Sequence, residues 1–153
     1  IEGYAELLAG TDCGRIVDVD DPAALASAIA SLLADPALCR ALGARGKRSA
    51  LPRIEAIVKS KELRGQDLTE QMAFFLAFGD LCGEVGIPFL DGLLNGKSGL
   101  LGRREDPEIR ACAAIALGRV KSPRAEQSLQ GALAEKDAVV RNAVNRALRG
   151  GGA

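Results

Sequence analysis

The chain has 153 residues, with 20 basic and 20 acidic side chains, so its net charge gives no reason to expect binding to nucleic acid or to an anionic membrane. It contains no histidine, which excludes Ser-His-Asp and Cys-His catalysis and removes the commonest zinc ligand. Aromatic residues are 3% of the chain, and a core of small aliphatic residues favours close helix packing. We therefore expect a mostly α-helical protein without catalytic residues, metal ligands or cofactor.

The spacing of the cysteines and the hydropathy of the chain indicate its cellular compartment. The four cysteines (Cys13, Cys39, Cys82 and Cys112) form no Cys-x-x-Cys pair, which is typical of small buried side chains in a reducing cytoplasm. No apolar run reaches the roughly 20 residues of a membrane span, and no signal peptide is apparent. We expect a cytoplasmic protein that binds no membrane. Because it begins with isoleucine, we also expect a processed, excised or truncated piece of a longer protein.

The first 50 residues predict a short run with β character, followed by helices. The run extends from Cys13 to Val19. Asp21-Pro22 and Asp35-Pro36 are typical helix starts, since Asp caps the first turn and Pro fits it. The first helix has apolar residues at helical spacing, namely Ala24, Leu25, Ala28, Ile29, Leu32 and Leu33. We predict helices near 22–34, 36–46 and 50–60.

Four motifs in this segment resemble the C-terminal end of family-4-type glycosyltransferases, which have two Rossmann domains. They are Gly3-Tyr-Ala-Glu-Leu7, Gly14-Arg-Ile-Val17, Asp21-Pro-Ala-Ala-Leu-Ala-Ser-Ala-Ile29 and Leu32-Leu-Ala-Asp-Pro36. The family's paired glutamates and acceptor-binding half are missing, and a fragment this short cannot form an inter-domain cleft. We therefore expect no glycosyl transfer, and we assign residues 1–50 to a glycosyltransferase-tail-like capping segment. In the alternative interpretation, these helices are earlier, degenerate repeats.

Residues 51–153 contain an internal repeat. In three stretches, an Asp is followed four residues later by Arg or Gln, and then by Ala and a large apolar residue at a constant offset. The stretches begin at Asp67, Asp106 and Asp137, and their apolar markers are Phe78, Leu117 and Leu148. The markers recur at intervals of 39 and 31 residues, close to the period of two-helix repeats.

One repeat can be followed residue by residue. Asp106 is a predicted N-cap, Pro107 fits the first helical position, and Gly118 is the predicted helix stop. The predicted inward residues of this helix are Ile109, Cys112, Ala113, Ala116 and Leu117. A second helix over 125–136 is expected to bury Leu129, Ala132 and Leu133. The preceding repeat predicts helices near 68–81 and 87–95.

The segments 106–118 and 137–148 resemble bacterial HEAT-like repeats of the kind found in phycocyanobilin-lyase-type and related proteins. The resemblance extends over about 51–150 and implies a short α-solenoid of helical hairpins, preceded by a small helical segment with at most one short strand. Lyase activity is not implied, because no bilin-handling residue is recognisable. In such arrays the second helices line the concave surface, which here predicts contacts along 89–95 and 126–134.

A basic loop interrupts the array between residues 97 and 106. Its charged side chains indicate either a solvated connector or a contact for an acidic or phosphorylated partner. Together with neighbouring bases, they give the candidate partner-binding residues Lys97, Arg103, Arg104, Arg119 and Arg124. We expect Arg110 and Arg141 to pair with an Asp of an adjacent repeat. The 15 bases and 13 acids of residues 51–153 leave too little positive charge to indicate nucleic acid.

The sequence therefore predicts a non-catalytic scaffold for protein–protein interaction, with domains at 1–50 and 51–153. The alternative is an inactive C-terminal fragment of a nucleotide-sugar-dependent glycosyltransferase with a helical repeat tail. A fusion of two unrelated pieces is also open, because the resemblance changes near residue 50. With so few repeats, self-association that covers the open ends of the array is a further expectation.

Overall fold

The structure, a computed structural model, describes residues 13–14, 16–18, 20–96 and 104–150. Within these residues it is helical and contains no strand. The helices of the described residues are α1 (Pro22–Ala34), α2 (Pro36–Lys59), α3 (Leu68–Cys82), α4 (Ile87–Asn95), α5 (Pro107–Val120), α6 (Pro123–Gly131) and α7 (Ala138–Gly150). Short 3-10 turns precede α3 and join α3 to α4. The predicted mostly α-helical repeat fold is confirmed at this level.

Side-chain caps explain where most of these helices begin. Asp67 accepts hydrogen bonds from the amides of Thr69 and Glu70 at 2.8 and 3.0 Å. Asp106 caps α5 in the same way and is followed by a proline. Each cap satisfies amides that have no partner within the helix. The predicted capping role of Asp106 is therefore confirmed.

The chain divides into two compact units, residues 1–52 and 53–153. In the described part of the first unit, the run that begins at Cys13 contains no strand. The helices predicted near 36–46 and 50–60 are one continuous helix, α2, with Pro52 inside it. Proline removes one intrahelical hydrogen bond, but here it does not end the helix. The apolar face of α1 remains exposed: Leu25 is 47%, Ile29 48% and Leu33 79% exposed. Whether this unit caps the array stays a prediction.

The second unit is built from two layers of helices around α5. Helices α3, α5 and α7 lie side by side in one layer, and α4 and α6 form the other. Helix α5 contacts all four of the others and buries eight residues, among them Ile109, Cys112, Ala113, Ala116 and Leu117. The predicted inward face of α5 is thus confirmed. Its small side chains let four neighbours approach one helix.

Two glycines at equivalent repeat positions allow this close approach. A Cβ on Gly79 would lie 2.5 Å from the carbonyl oxygen of Ala116, and one on Gly118 would lie 2.9 Å from the Cβ of Ala147. The prediction that Gly118 ends its helix is wrong. Helix α5 continues to Val120 and ends at Lys121, which has a left-handed backbone (φ 51°). The glycine therefore serves helix packing between α5 and α7.

The second helix of this repeat also differs from its prediction. Helix α6 ends at Gly131, and a turn occupies the residues up to α7. Leu129 and Ala132 are buried as predicted, whereas Leu133 is 45% exposed because it lies in that turn. Of the four cysteines, Cys82 and Cys112 are buried, but Cys39 is exposed, contrary to the sequence-based expectation.

One stretch, Leu68–Asn95, is long and apolar enough to cross a membrane by length and composition. The rings of Phe78 and Phe89 within it have centroids 5.9 Å apart. Eleven residues of straight helix would separate them by about 16 Å along the axis. The stretch therefore folds back as the α3–α4 hairpin. Phe78 is 2% exposed within the hairpin core, and the predicted absence of membrane binding stays a prediction.

Candidate functional site

A groove runs between α4 and α6 in the two-helix layer of the second unit. We call it the polar groove, and it is lined by Asp91, Asn95, Arg104, Arg124, Gln127 and Ser128. Its volume is about 480 Å³ and it is open to solvent. The Nδ2 atom of Asn95 donates to Asp91 Oδ1 at 2.8 Å and to the carbonyl oxygen of Ser128 at 2.9 Å. The bond to Asp91 lies within α4 and orients the Asn95 amide, and the bond to Ser128 joins α4 to α6 at the floor of the groove.

Gly131 also lines the polar groove. A Cβ on it would lie 3.7 Å from Asn95 Nδ2, which is ordinary van der Waals contact. The other residues that line the groove have polar or charged side chains. A surface of this kind suits hydrogen bonding with a partner more than it suits a hydrophobic anchor.

One end of the groove is held by Glu135, in the turn after α6. Its Oε2 atom accepts a 2.5 Å hydrogen bond from Arg104 Nη1 and a second bond from Arg110 Nη2. Arg110 is 4% exposed, and its Nε atom donates to the carbonyl oxygen of Leu94 at 3.1 Å. One carboxylate therefore holds a surface arginine and a buried arginine, and the buried one also reaches the last turn of α4.

The contact with Arg110 changes the acidity of this carboxylate. The hydrogen bond from Arg110 is the main cause that lowers the pKa of Glu135 from 4.5 to about 2, with smaller contributions from the amides of Lys136 and Asp137. Burial acts in the opposite direction but is outweighed. Glu135 is therefore ionised at neutral pH and keeps its charge for these bonds.

The candidate binding residues fall into three groups. Arg104, which precedes α5, and Arg124, in the first turn of α6, both line the polar groove. Arg119 lies elsewhere, on the three-helix layer, where its guanidinium donates to Asp80 at 2.7 and 3.1 Å. Lys97 and Arg103 lie outside the described residues. The structure thus brings together two of the five predicted side chains and separates a third from them.

The two arginines of the polar groove differ in whether their guanidinium groups already have a partner. Arg104 is engaged with Glu135, although its side chain is 46% exposed. Arg124 is exposed on the first turn of α6, and it makes no hydrogen bond or ion pair within the part of the chain that the structure describes. Its guanidinium is therefore available to a carboxylate or phosphate without breaking an existing pair.

The predicted ladder of Arg and Asp between repeats is wrong. Arg110 pairs with Glu135, and Arg141 donates to the backbone carbonyls of Glu135 and Lys136 at 3.0 and 3.1 Å. The repeated Asp residues are occupied instead as N-caps, so their carboxylates are turned toward their own helices. Glu135 was not identified from the sequence as the residue that binds both Arg104 and Arg110, because it lies in a turn outside the repeated motif.

Among the described residues, no group of three or more His, Cys, Asp or Glu side chains is arranged to hold a metal ion. Cys39, Cys82 and Cys112 are free thiols, and burial raises the pKa of Cys112 to about 11. The polar groove is therefore a surface of hydrogen-bonding and charged groups.

Comparison with protein families supports the repeat interpretation. Residues 97–149, about a third of the chain, match the family model for HEAT repeats. The matched range includes α5, α6 and most of α7, with both helices of the central repeat. Neither the curated proteins nor the solved structures provide a match to this chain.

Proposed function

We propose that this chain is a non-catalytic scaffold that binds an acidic segment of a protein partner in the polar groove. HEAT repeats are commonly used for protein interaction, and their second helices form the usual contact surface. The observation that carries the proposal is the exposed guanidinium of Arg124, which has no partner among the described residues and lies beside the open floor between α4 and α6. Arg124 supplies the primary contact for a partner carboxylate.

Arg104 has a secondary role in this proposal. Its bond to Glu135 holds the guanidinium at the groove, where its remaining donors face solvent. An arginine has five donors, so one carboxylate does not saturate it. Lys97 and Arg103 belong to the same loop in sequence, and their participation stays a prediction.

The experiment compares affinity capture by three versions of the full chain from a bacterial lysate. They are the unchanged protein, Arg124→Glu, and the control Arg149→Glu, which reverses an exposed charge of α7 in the other layer. A partner retained by the control and depleted about tenfold by Arg124→Glu supports the proposal, since reversal replaces attraction by repulsion. Equal capture by all three versions would overturn it.

The glycosyltransferase resemblance of residues 1–50 stays a prediction and carries no function here. No strand occurs in the described residues of that segment, so they provide no part of a Rossmann sheet. Cytoplasmic localisation remains our proposal because the cysteines form no Cys-x-x-Cys pair, and self-association remains one because the array is short.

A further inference from the structure

A second groove lies on the opposite layer of the second unit, where α3, α5 and α7 run side by side. We call it the apolar groove, and it is lined by Met72, Leu76, Ile115, Arg119, Lys121 and Arg146. Its volume is about 310 Å³. It differs from the polar groove in position and in chemistry.

The floor of the apolar groove is hydrophobic and partly exposed. Met72 and Leu76 are one turn apart on α3, and Ile115 projects from α5 between the neighbouring helices. Gly118 and Ala147 also line the groove. Because both residues are small, they leave a depression at the centre of the three-helix layer. A contiguous patch of exposed apolar side chains marks an interaction site more often than a single exposed apolar side chain does.

The rim of the apolar groove is positively charged. Arg119 is neutralised by Asp80, at 2.7 Å. Lys121 and Arg146 are exposed and form no ion pair within the described ranges 20–96 and 104–150. No acidic side chain from these ranges lines the groove. Two uncompensated positive charges therefore flank an apolar floor.

We propose that the apolar groove binds an acidic amphipathic helix of a partner protein. Such a helix presents apolar residues at i, i+3, i+4 and i+7 to the floor and acidic residues to Lys121 and Arg146. Three adjacent helices at 8–10 Å spacing span about 20 Å, which is the length of about 13 residues of helix. The charges of the rim select an acidic peptide over a basic one, because like charges at the rim oppose docking.

The test uses a fluorescein-labelled synthetic peptide of about 14 residues with leucines at the positions above and glutamates on the other face. Fluorescence anisotropy measures its binding to the full chain. A shuffled peptide of the same composition, which lacks the apolar stripe, serves as the peptide control. We expect micromolar binding of the amphipathic peptide and at least tenfold weaker binding of the shuffled one.

Matched variants separate this groove from the polar groove. Arg146→Glu reverses a charge at the rim, and Met72→Gln makes the floor polar while keeping the side-chain length. Each variant should weaken binding of the amphipathic peptide about fivefold or more. Arg124→Glu reverses a charge in the polar groove and should leave binding unchanged. Circular dichroism melts verify that all three variants fold.

Three results would overturn the proposal. They are an affinity weaker than about 1 mM, equal binding of the two peptides, or an equal loss in Arg124→Glu and Arg146→Glu. A self-associated chain that Arg146→Glu dissociates, together with no peptide binding, would assign the groove to a second copy of the chain instead. Because Arg124→Glu tests only the polar groove, failure here leaves the proposed function standing.

Discussion

Replacing Glu135 by glutamine should destabilise the second unit, because it leaves a buried arginine without its counter-ion. Glutamine keeps the size of the side chain and one acceptor oxygen but removes the charge. Arg110, 4% exposed, would retain its bond to the Leu94 carbonyl and lose its charged partner. Breaking a buried pair from one side is costly, since the remaining charge stays out of water.

The pKa of Glu135 sets the magnitude of this effect. A folded pKa of about 2 against 4.5 corresponds to about 3 kcal/mol as an upper limit, at 1.36 kcal/mol per unit. The Glu135 side chain is 11% exposed and its partner Arg104 is 46% exposed, so solvent screening reduces the value. We expect the free energy of unfolding at pH 7 to fall by about 2 kcal/mol.

The same argument predicts how the effect depends on pH. The folded pKa lies below the unfolded value, so the stabilisation is complete well above pH 4.5 and is lost as pH falls toward about 2. At about pH 3, less than half of it should remain. The difference between the unchanged protein and Glu135→Gln should therefore shrink on acidification.

Urea unfolding followed by circular dichroism at 222 nm measures this difference at both pH values. Arg104→Gln is the control, because loss of its half-exposed partner should cost less than about 1 kcal/mol. Combining Arg110→Met with Glu135→Gln should recover part of the stability, since no buried charge remains. A cost below about 0.5 kcal/mol at pH 7, or an equal cost at both pH values, would refute the reasoning.

Helix packing and thiol chemistry provide two further predictions. Gly79→Ala should destabilise the fold by about 1–3 kcal/mol, because its Cβ would lie 2.5 Å from the Ala116 carbonyl oxygen. Gly92→Ala, with open space around its Cβ, should instead stabilise by up to about 1 kcal/mol, and a gain for Gly79→Ala in the same urea titration would contradict the packing. Iodoacetamide at pH 8 should alkylate the exposed Cys39 rapidly and Cys112 only on unfolding. The reason is that Cys112 is buried and that burial raises its pKa to about 11. Mass spectrometry of the treated native protein shows which of the two cysteines has been alkylated.

The fold of the second unit was largely predictable because its signals are local. Asp106 and Pro107 mark a helix start through the amides of one turn, and helical spacing identifies Ile109 and Leu117 as core. Gly118 was misassigned because a glycine near a helix end and a glycine at a helix crossing have the same sequence signal. Only the position of Ala147, 29 residues later, distinguishes them.

The site was less predictable because its contacts join residues far apart in sequence. Positive charge indicated Arg104 and Arg124 as binding residues. The sequence does not indicate that Glu135 binds Arg104, or that Arg124 has no partner in the part of the chain that the structure describes. Arg119 has the same residue type, yet it faces the other layer and pairs with Asp80. Residue type thus predicted the chemistry, and tertiary packing decided which charges are free.

Site-specific photo-cross-linking tests the central claim, that a protein partner occupies the polar groove. A photoreactive residue replaces Gln127 in the groove or, as the control, Glu84 in the turn before α4; both positions are exposed. Irradiation in cell extract should attach one defined partner at position 127 and not at 84, and adding Arg124→Glu should abolish the product. Equal products at both positions, or a product that persists with Arg124→Glu, would contradict the account.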